Sequence, residues 1–519
     1  MKLKAVLVRI TIAVIVTTLL MIGSPLGGLF ETRALAQRGP KKAPVSNPRK
    51  VSDELLSEVA KGPQRVHKVI IQTEGGRATS LAAPVAMAGG VTRRVFDNVG
   101  ALTVELPGNA ITALAKRSDV KFISLDRPTR ATGHLETTTG ASQARYYGNY
   151  YTGPITGDGI GIAILDSGIY PSHHSFSYRI AASVDFTGEG RTDDPYGHGT
   201  HVAGMAAGSS HVAYGAYAGV APSARIINVR VLDSQGRGSI SSAIAGIDWC
   251  ISKKSLYNIR VMNLSLGTTA VESYVNDPLC QAVRRAVNAG IVVCVAAGNL
   301  GKDANGHKIF GAVHSPGIEP SAITVGASNT KGTDSRADDV VATFSSRGPT
   351  RGYRLDEAGL RRYDNIIKPD LVAPGNKLVE PQAPSNFIVS QNPTLDANVS
   401  YTAQHEMMYM SGTSVAAPAV AGAAALILQR NPYLTPNMVK AILQYTAQPL
   451  ASFSTLEQGA GQLNVEGAVR LAGAIRQDLY WLILGSPLLS APVPTHSTTI
   501  AGHSFAWSGG ITQRWNVIN

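Results

Sequence analysis

Three residues have the types and chain order needed for nucleophilic acyl chemistry. Ser414 lies in Gly412-Thr413-Ser414-Val415-Ala416-Ala417-Pro418, ahead of a small, apolar run from Val415 to Leu428. That run reads as a buried helix. A serine at its N-terminus is exposed beside unpaired backbone N–H groups, where an oxyanion would be stabilised. A serine there is also an ordinary helix cap, so its meaning depends on partners. Asp166 opens Asp166-Ser167-Gly168, and His198 opens His198-Gly199-Thr200-His201, 32 positions later. A neutral imidazole can take the serine proton, and a buried carboxylate can orient the ring and offset its charge. Each piece has a plainer reading. Asp-Ser-Gly is a common turn. His198 and His201 have the spacing of a metal pair, but no acidic or cysteine ligand is spaced to complete it.

The elements that must position these residues are legible around them. Gly159 to Leu165 is an apolar run of strand length that delivers Asp166 at its carboxyl end, the functional edge of an open α/β sheet. His198 begins a helix of small residues. A further strand, Gly290 to Gly298, closes on Asn299.

Together the blocks around Asp166, His198 and Ser414 resemble the three catalytic blocks of the subtilisin-like (subtilase) serine proteases, over roughly residues 134–475. The resemblance implies Ser414 as nucleophile, His198 as general base and then acid, and Asp166 as the orienting carboxylate. It implies Asn299 as the side-chain donor of the oxyanion hole, beside the Ser414 N–H. Ser265, Leu266 and Gly267 would pair with an extended peptide as an added strand. Ala296, Ala297 and Gly298 would line the other wall of the primary pocket. His314 falls near the pocket base, where the family often has a small residue. The implied fold is a doubly wound α/β sandwich, mostly parallel sheet with helices on both faces. Phe344 to Pro349 and Lys368 to Gly375 also resemble family blocks and read as structural loops. Arg351 to Asn365 between them reads as a surface insertion.

The 519 residues, 44% hydrophobic, suffice for a large core and accessory parts. Lys2, Lys4 and Arg9 precede the apolar run Ile10 to Ile22, and Ala34-Leu35-Ala36 offers a cleavage site. Residues 1–36 therefore read as a secretory signal, and the expected location is extracellular or periplasmic. Residues 37–65 read as a basic linker. Residues 66–133 show a small α+β pattern: a strand at Lys68 to Gln72, a hairpin around Asp97 to Gly100, a helix at Ile111 to Lys116 and a strand at Val120 to Leu125. This pattern resembles the ferredoxin-like inhibitory propeptide of subtilases, an intramolecular partner cut near Ser124 to Glu136. Residues 134–475 form the expected catalytic domain. Residues 476–519 form a tail of open role, packed on that domain or used for surface attachment.

Charge sharpens this division. Residues 1–36 carry net +3, residues 37–133 net +8 and the remainder only +1. The basic total thus belongs to removable parts, and a nucleic-acid partner loses its support. Polypeptides are the expected substrates. No later segment has the ~20 apolar residues of a membrane span; Tyr480 to Leu489 is too short and is interrupted by Gly485 and Pro487. Cys250, Cys280 and Cys294 cannot all pair within one chain; they are free buried thiols or include one bridge, Cys250 to Cys280. No cofactor is expected. The resemblance allows calcium, but the loop Gly208 to Gly215 lacks carboxylate and amide side chains, which leaves Asp193, Asp194 or Asp334 as donors. Two rival readings are a non-catalytic peptide-binding module on the same fold and an adhesion protein acting through its tail.

Overall fold

The structure, a computed structural model, describes residues 50–75, 77–126, 134–148, 153–400, 402–513 and 516–518. The signal reading, residues 37–49 of the linker and residues 127–133 of the expected cleavage segment lie outside the described residues. The chain divides into two compact units, residues 1–129 and 130–519.

In the first unit, helix α1 (Asp53–Lys61) precedes β1 (Val66–Thr73), α2 (Ala82–Met87), β2 (Val91–Phe96), β3 (Ala101–Pro107), α3 (Gly108–Ala115) and β4 (Val120–Leu125). The four strands form an antiparallel sheet in the order β2-β3-β1-β4. From β1 onward this is the β-α-β-β-α-β succession of ferredoxin-like folds. The stretch read as linker is corrected in its second half. Ser52 caps α1 by accepting from the Leu55 N–H, Val51 bridges Ile123, and both Val51 and Leu55 lie in the core with Val69, Ile71, Leu102 and Leu106. Packed structure of this unit therefore reaches back at least to Val51, inside the stretch read as linker. The spacing of Leu55, Leu56 and Val59 carries this helix, but a basic, proline-containing neighbourhood masks it.

The second unit is built on an eight-stranded sheet. Its strands include β5 (Gly161–Asp166), β6 (Ile180–Asp185), β7 (Arg225–Arg230), β8 (Ile259–Leu264), β9 (Val292–Ala296), β10 (Ile323–Asn329) and β11 (Val340–Val341), in the order β11-β10-β9-β8-β5-β7-β6. All pairings are parallel except β10 with β11, and β14 (Leu371–Pro374) runs parallel beside β10. Both faces are covered, as the continuous apolar strands require. Ile162 and Ile164 face α4 (His198–Ala207) and α7 (Thr413–Arg430). Ala163 and Leu165 face α5 (Ile240–Tyr257) and α6 (Pro278–Asn288). The alternation follows from successive side chains pointing to opposite faces of a strand. The fold is the doubly wound, subtilisin-like one.

Among the described residues, α7 alone is long and apolar enough to cross a membrane; 83% of it is buried in this core. Gly422 permits close packing of α7 on α4, since a Cβ there would lie 2.7 Å from the Ala206 carbonyl oxygen. The insertion at 351–365 forms an exposed two-stranded hairpin.

Residue 476 marks no boundary of compactness. The tail hairpin, β17 (Ser497–Ile500) and β18 (His503–Ala506), packs on helix α9 (Val465–Ala474), and Ile500, Phe505 and Trp507 enter the main core. Asn464 Nδ2 and the Trp507 indole N–H both donate to Thr498 Oγ1, which in turn donates to Glu466. All three cysteines are free and buried, so the Cys250–Cys280 bridge is absent.

Candidate active site

Strand β5 carries Asp166 to the carboxyl edge of the sheet, where the chain leaves for β6 and β7 on one side and later β8 on the other. This is the switch point at which open α/β sheets bind ligands. Asp166 is fully buried; its Oδ1 accepts from the Ser167 N–H at 2.8 Å and from His198 Nδ1 at 2.7 Å. That bond fixes the imidazole with Nδ1 protonated and Nε2 as the acceptor. Burial disfavours the imidazolium, but the charge and hydrogen bond of Asp166, with the charge of Asp194 beyond, more than offset it. The His198 pKa is raised.

The turn before His198 is held from two sides. Asp194 is buried and accepts from the Gly197 N–H at 2.8 Å, the Thr200 N–H at 2.7 Å and Ser167 Oγ at 2.8 Å. It caps α4, and burial pushes its pKa up. Gly197 has φ 101°, and a Cβ there would meet Asn386 Oδ1 at 2.4 Å. The crossing segment also donates from the Phe387 N–H to the Pro195 carbonyl. His201 takes no part in a metal pair. Its Nε2 bonds the Leu378 carbonyl at 3.1 Å, and burial lowers its pKa to about 3, so it is a neutral core residue.

Ser414 occupies the second position of α7, after Gly412. A Cβ on Gly412 would lie 2.8 Å from Ser414 Oγ and 3.4 Å from Asn299 Nδ2, so both groups border the space that glycine leaves open. Asn299 Oδ1 accepts from the Thr413 N–H at 2.9 Å and from Thr413 Oγ1 at 3.1 Å. Thr413 Oγ1 also accepts from the Gly298 N–H at 3.0 Å. The amide orientation is thereby fixed, and Nδ2 faces the serine.

Two further residues support Ser414. Pro418 has no N–H, so the Ser414 carbonyl loses its helical donor four residues on. Ser265 Oγ donates to that carbonyl at 2.6 Å and itself accepts from Asn263 Nδ2 at 2.9 Å. Sequence reasoning places Ser265 in the substrate wall; its side chain is committed beneath Ser414. The roles of Thr413 and Asn263 escaped it. The four-residue spacing of Ser414 and Pro418 was the available signal.

His198 and the Ser265–Gly267 segment line one cavity of about 340 Å³, whose apolar side is formed by Val231, Leu232, Ile240 and Leu279. His314 lies between the two predicted walls. A Cβ on Gly298, which has φ 106°, would be 2.8 Å from the His314 ring, and one on Gly267 would be 3.2 Å from His314 Cβ. The His314 N–H donates to the Ala297 carbonyl, and Thr268 and Ser315 exchange backbone bonds at 2.9 Å, which laces the walls together. Burial lowers the His314 pKa, and its Nε2 has no hydrogen-bond partner among the described residues. Ala297 is fully buried and Ala296 nearly so, and the Ala297 N–H donates to the Val325 carbonyl, which ties this wall to the sheet.

Among the described residues, no three His, Cys, Asp or Glu side chains cluster as a metal would require. Asp194 is consumed by its cap, and Asp193 pairs with Arg191 at 2.6 Å. An oxygen-rich cradle does exist elsewhere, at the start of β14. Lys440 Nζ donates to the Pro320 and Ala322 carbonyls at 2.8 and 2.9 Å and pairs with Asp370 at 2.9 Å. Lys368 Nζ donates to the Ala322 carbonyl at 3.0 Å and to Asp370 at 2.7 Å. These are donor types that suit a hard cation, and two ammonium groups satisfy them. Burial alone would raise the Asp370 pKa; the two lysines override it, and it is lowered.

Residues 157–468 match the subtilase family. The chain is 37% identical over 388 residues to the serine protease AprX of Bacillus subtilis, covering 72% of this chain and 80% of that protein. It is 33% identical to the extracellular serine proteinase of a Thermus species, over 73% of this chain and 78% of that protein. Subtilisin E of Bacillus subtilis is 33% identical, over 74% and 84%. Among solved structures, a cold adapted subtilisin-like serine proteinase aligns at 30% identity with a TM-score of 0.42, covering 60% of this chain and 90% of that one. The family match defines a hydrolase of the serine-nucleophile class. The chain belongs to the subtilase family and is a serine endopeptidase.

Proposed function

We propose that the protein is a secreted endopeptidase made as a self-processing zymogen, with Ser414 as its nucleophile. The observation that carries this is the 2.7 Å bond from His198 to buried Asp166, together with Asn299 anchored to Thr413 beside Ser414. Ser414 Oγ attacks the scissile carbonyl carbon while His198 Nε2 takes its proton. The oxyanion accepts hydrogen bonds from the Ser414 N–H and Asn299 Nδ2. The C–N bond then breaks, and His198 returns the proton to the leaving amine. Water, deprotonated by His198, hydrolyses the acyl-enzyme. The substrate is a polypeptide held in extended form along Ser265, Leu266 and Gly267, with one side chain between that segment and Ala296, Ala297 and Gly298. His314 closes the base of this pocket.

The α+β part of the first unit serves as the inhibitory propeptide, cut between Ser124 and Glu136, and residues 1–36 direct export. No cofactor enters the chemistry, and nucleic acid is not a partner. Ser414→Ala tests the reading: the precursor stays uncut, casein is not hydrolysed and a fluorophosphonate no longer labels the protein. Unchanged processing and hydrolysis in that variant would refute it.

A further inference from the structure

The chain from Ile475 to Leu489 leaves the body as a closed loop. An antiparallel bridge between Ile475 and Leu489 forms its neck, with the Arg476 N–H donating to the Leu488 carbonyl and the Ser490 N–H to the Ala474 carbonyl. Turn bonds from Trp481 to Asp478 and from Ser486 to Ile483 satisfy part of the loop backbone internally. Its side chains are unlike the rest of the surface. Tyr480, Trp481, Ile483 and Leu484 are 80 to 105% exposed, and Leu488 is half exposed. Solvent-facing apolar patches of this density mark interaction sites.

The surroundings favour one occupant. Asn431 Nδ2 bonds the Ile475 and Arg476 carbonyls, which sets the Arg430–Tyr433 turn against the loop neck. Arg260 reaches the same turn by donating to the Pro432 carbonyl, and Lys254, Arg260 and exposed Tyr433 line one shallow depression. Among the described residues no acidic side chain pairs with Lys254, Arg260 or Arg430. The one acid at the neck, Asp478, is neutralised by Arg476 at 2.5 Å. An apolar loop with Trp and Tyr, flanked by cations bonded to carbonyls but neutralised by no acid, has the chemistry of an interfacial membrane anchor. Five side chains on one narrow loop fall short of the roughly 20–30 residues a side of a standard protein interface.

We propose that the 479–489 loop inserts into the headgroup region of a lipid bilayer carrying anionic lipids, docking the protease on a membrane surface without spanning it. The proposal is independent of the catalytic assignments.

The test uses the full chain, inhibited with a fluorophosphonate and mixed with phosphatidylcholine vesicles with or without phosphatidylglycerol. Parent and variant keep the same N-terminus, so the apolar run at 10–22 contributes equally to both. The protein should cosediment better with the anionic vesicles, and brominated lipid should quench Trp481 fluorescence. Combining Tyr480→Ser, Trp481→Ser, Ile483→Ser and Leu484→Ser should lower partition by at least about tenfold, with hydrolysis of a small soluble peptide by the uninhibited enzyme unchanged. If that variant folds poorly, Trp481→Phe alone should abolish the quenching. Combining Lys254→Glu with Arg260→Glu should remove the preference for anionic vesicles. Equal partition of parent and loop variant overturns the proposal. So does concentration-dependent dimerisation, abolished by the loop variant, with no vesicle binding.

Discussion

Asp166 and Asp370 are both buried carboxylates of one sheet, yet they serve opposite ends. Asp166 ends β5 at the edge where the cleft opens, and Asp370 precedes β14, which runs parallel, at the other edge. Asp166 has one titratable side-chain partner, His198, whose far nitrogen remains free to exchange a proton. Asp370 is enclosed by two ammonium groups and the Thr324 N–H. The difference lies in the partner. An imidazole turns a buried carboxylate into a device for moving protons, whereas paired lysines turn it into a fixed joint.

The sharpest way to break this comparison is to neutralise each carboxylate. Asp166→Asn should lower kcat by about 10^4-fold, because the imidazole loses the partner that sets its tautomer, while thermal unfolding moves little. Asp370→Asn should do the reverse. Leaving buried Lys368 and part-buried Lys440 uncompensated should cost about 3–5 kcal/mol in denaturant unfolding, with kcat of the folded fraction retained. Asn299→Ala removes the proposed oxyanion donor and should cost about 10^2–10^3 in kcat with KM nearly constant. Thr413→Val deletes a hydroxyl anchor of that amide. A loss of about 1 kcal/mol in transition-state stabilisation, read from kcat/KM, is expected.

The two sites should also part with pH. The raised His198 pKa places the acid limb of kcat/KM above the unperturbed imidazole value of about 6.5. The lowered Asp370 pKa works on stability. Its contribution is present above the unfolded carboxylate value, about 3.9, and is lost as pH falls through the lower native value. Activity should therefore disappear at a pH where circular dichroism still reports a folded protein.

The family blocks around Asp166, His198 and Ser414 were legible because each is a local string at the end of one strand or the start of one helix. The sheet was legible too, since strands buried on both faces read as unbroken apolar runs. What joins distant segments was not. Lys440 lies 70 positions from Asp370, and nothing near either residue signals the pairing. Ser265 read as wall because its neighbours line the cleft, although its hydroxyl answers a vacancy created by Pro418. Helix α1 was lost in a basic stretch, and the tail hairpin was left open because its anchor, Trp507 against α9, exists only once the body has folded.

The three cysteines carry a practical consequence. Each thiol is buried, with its pKa pushed up by that burial, and none is cross-linked. Thiolate, the form that reacts with oxidants and disulfides, is suppressed at all three positions. The catalytic unit is thus indifferent to redox poise: it needs no oxidising compartment to mature and loses no strut to a reductant. An inactive Ser414→Ala chain should fold in a reducing cytosol as readily as in an oxidising medium.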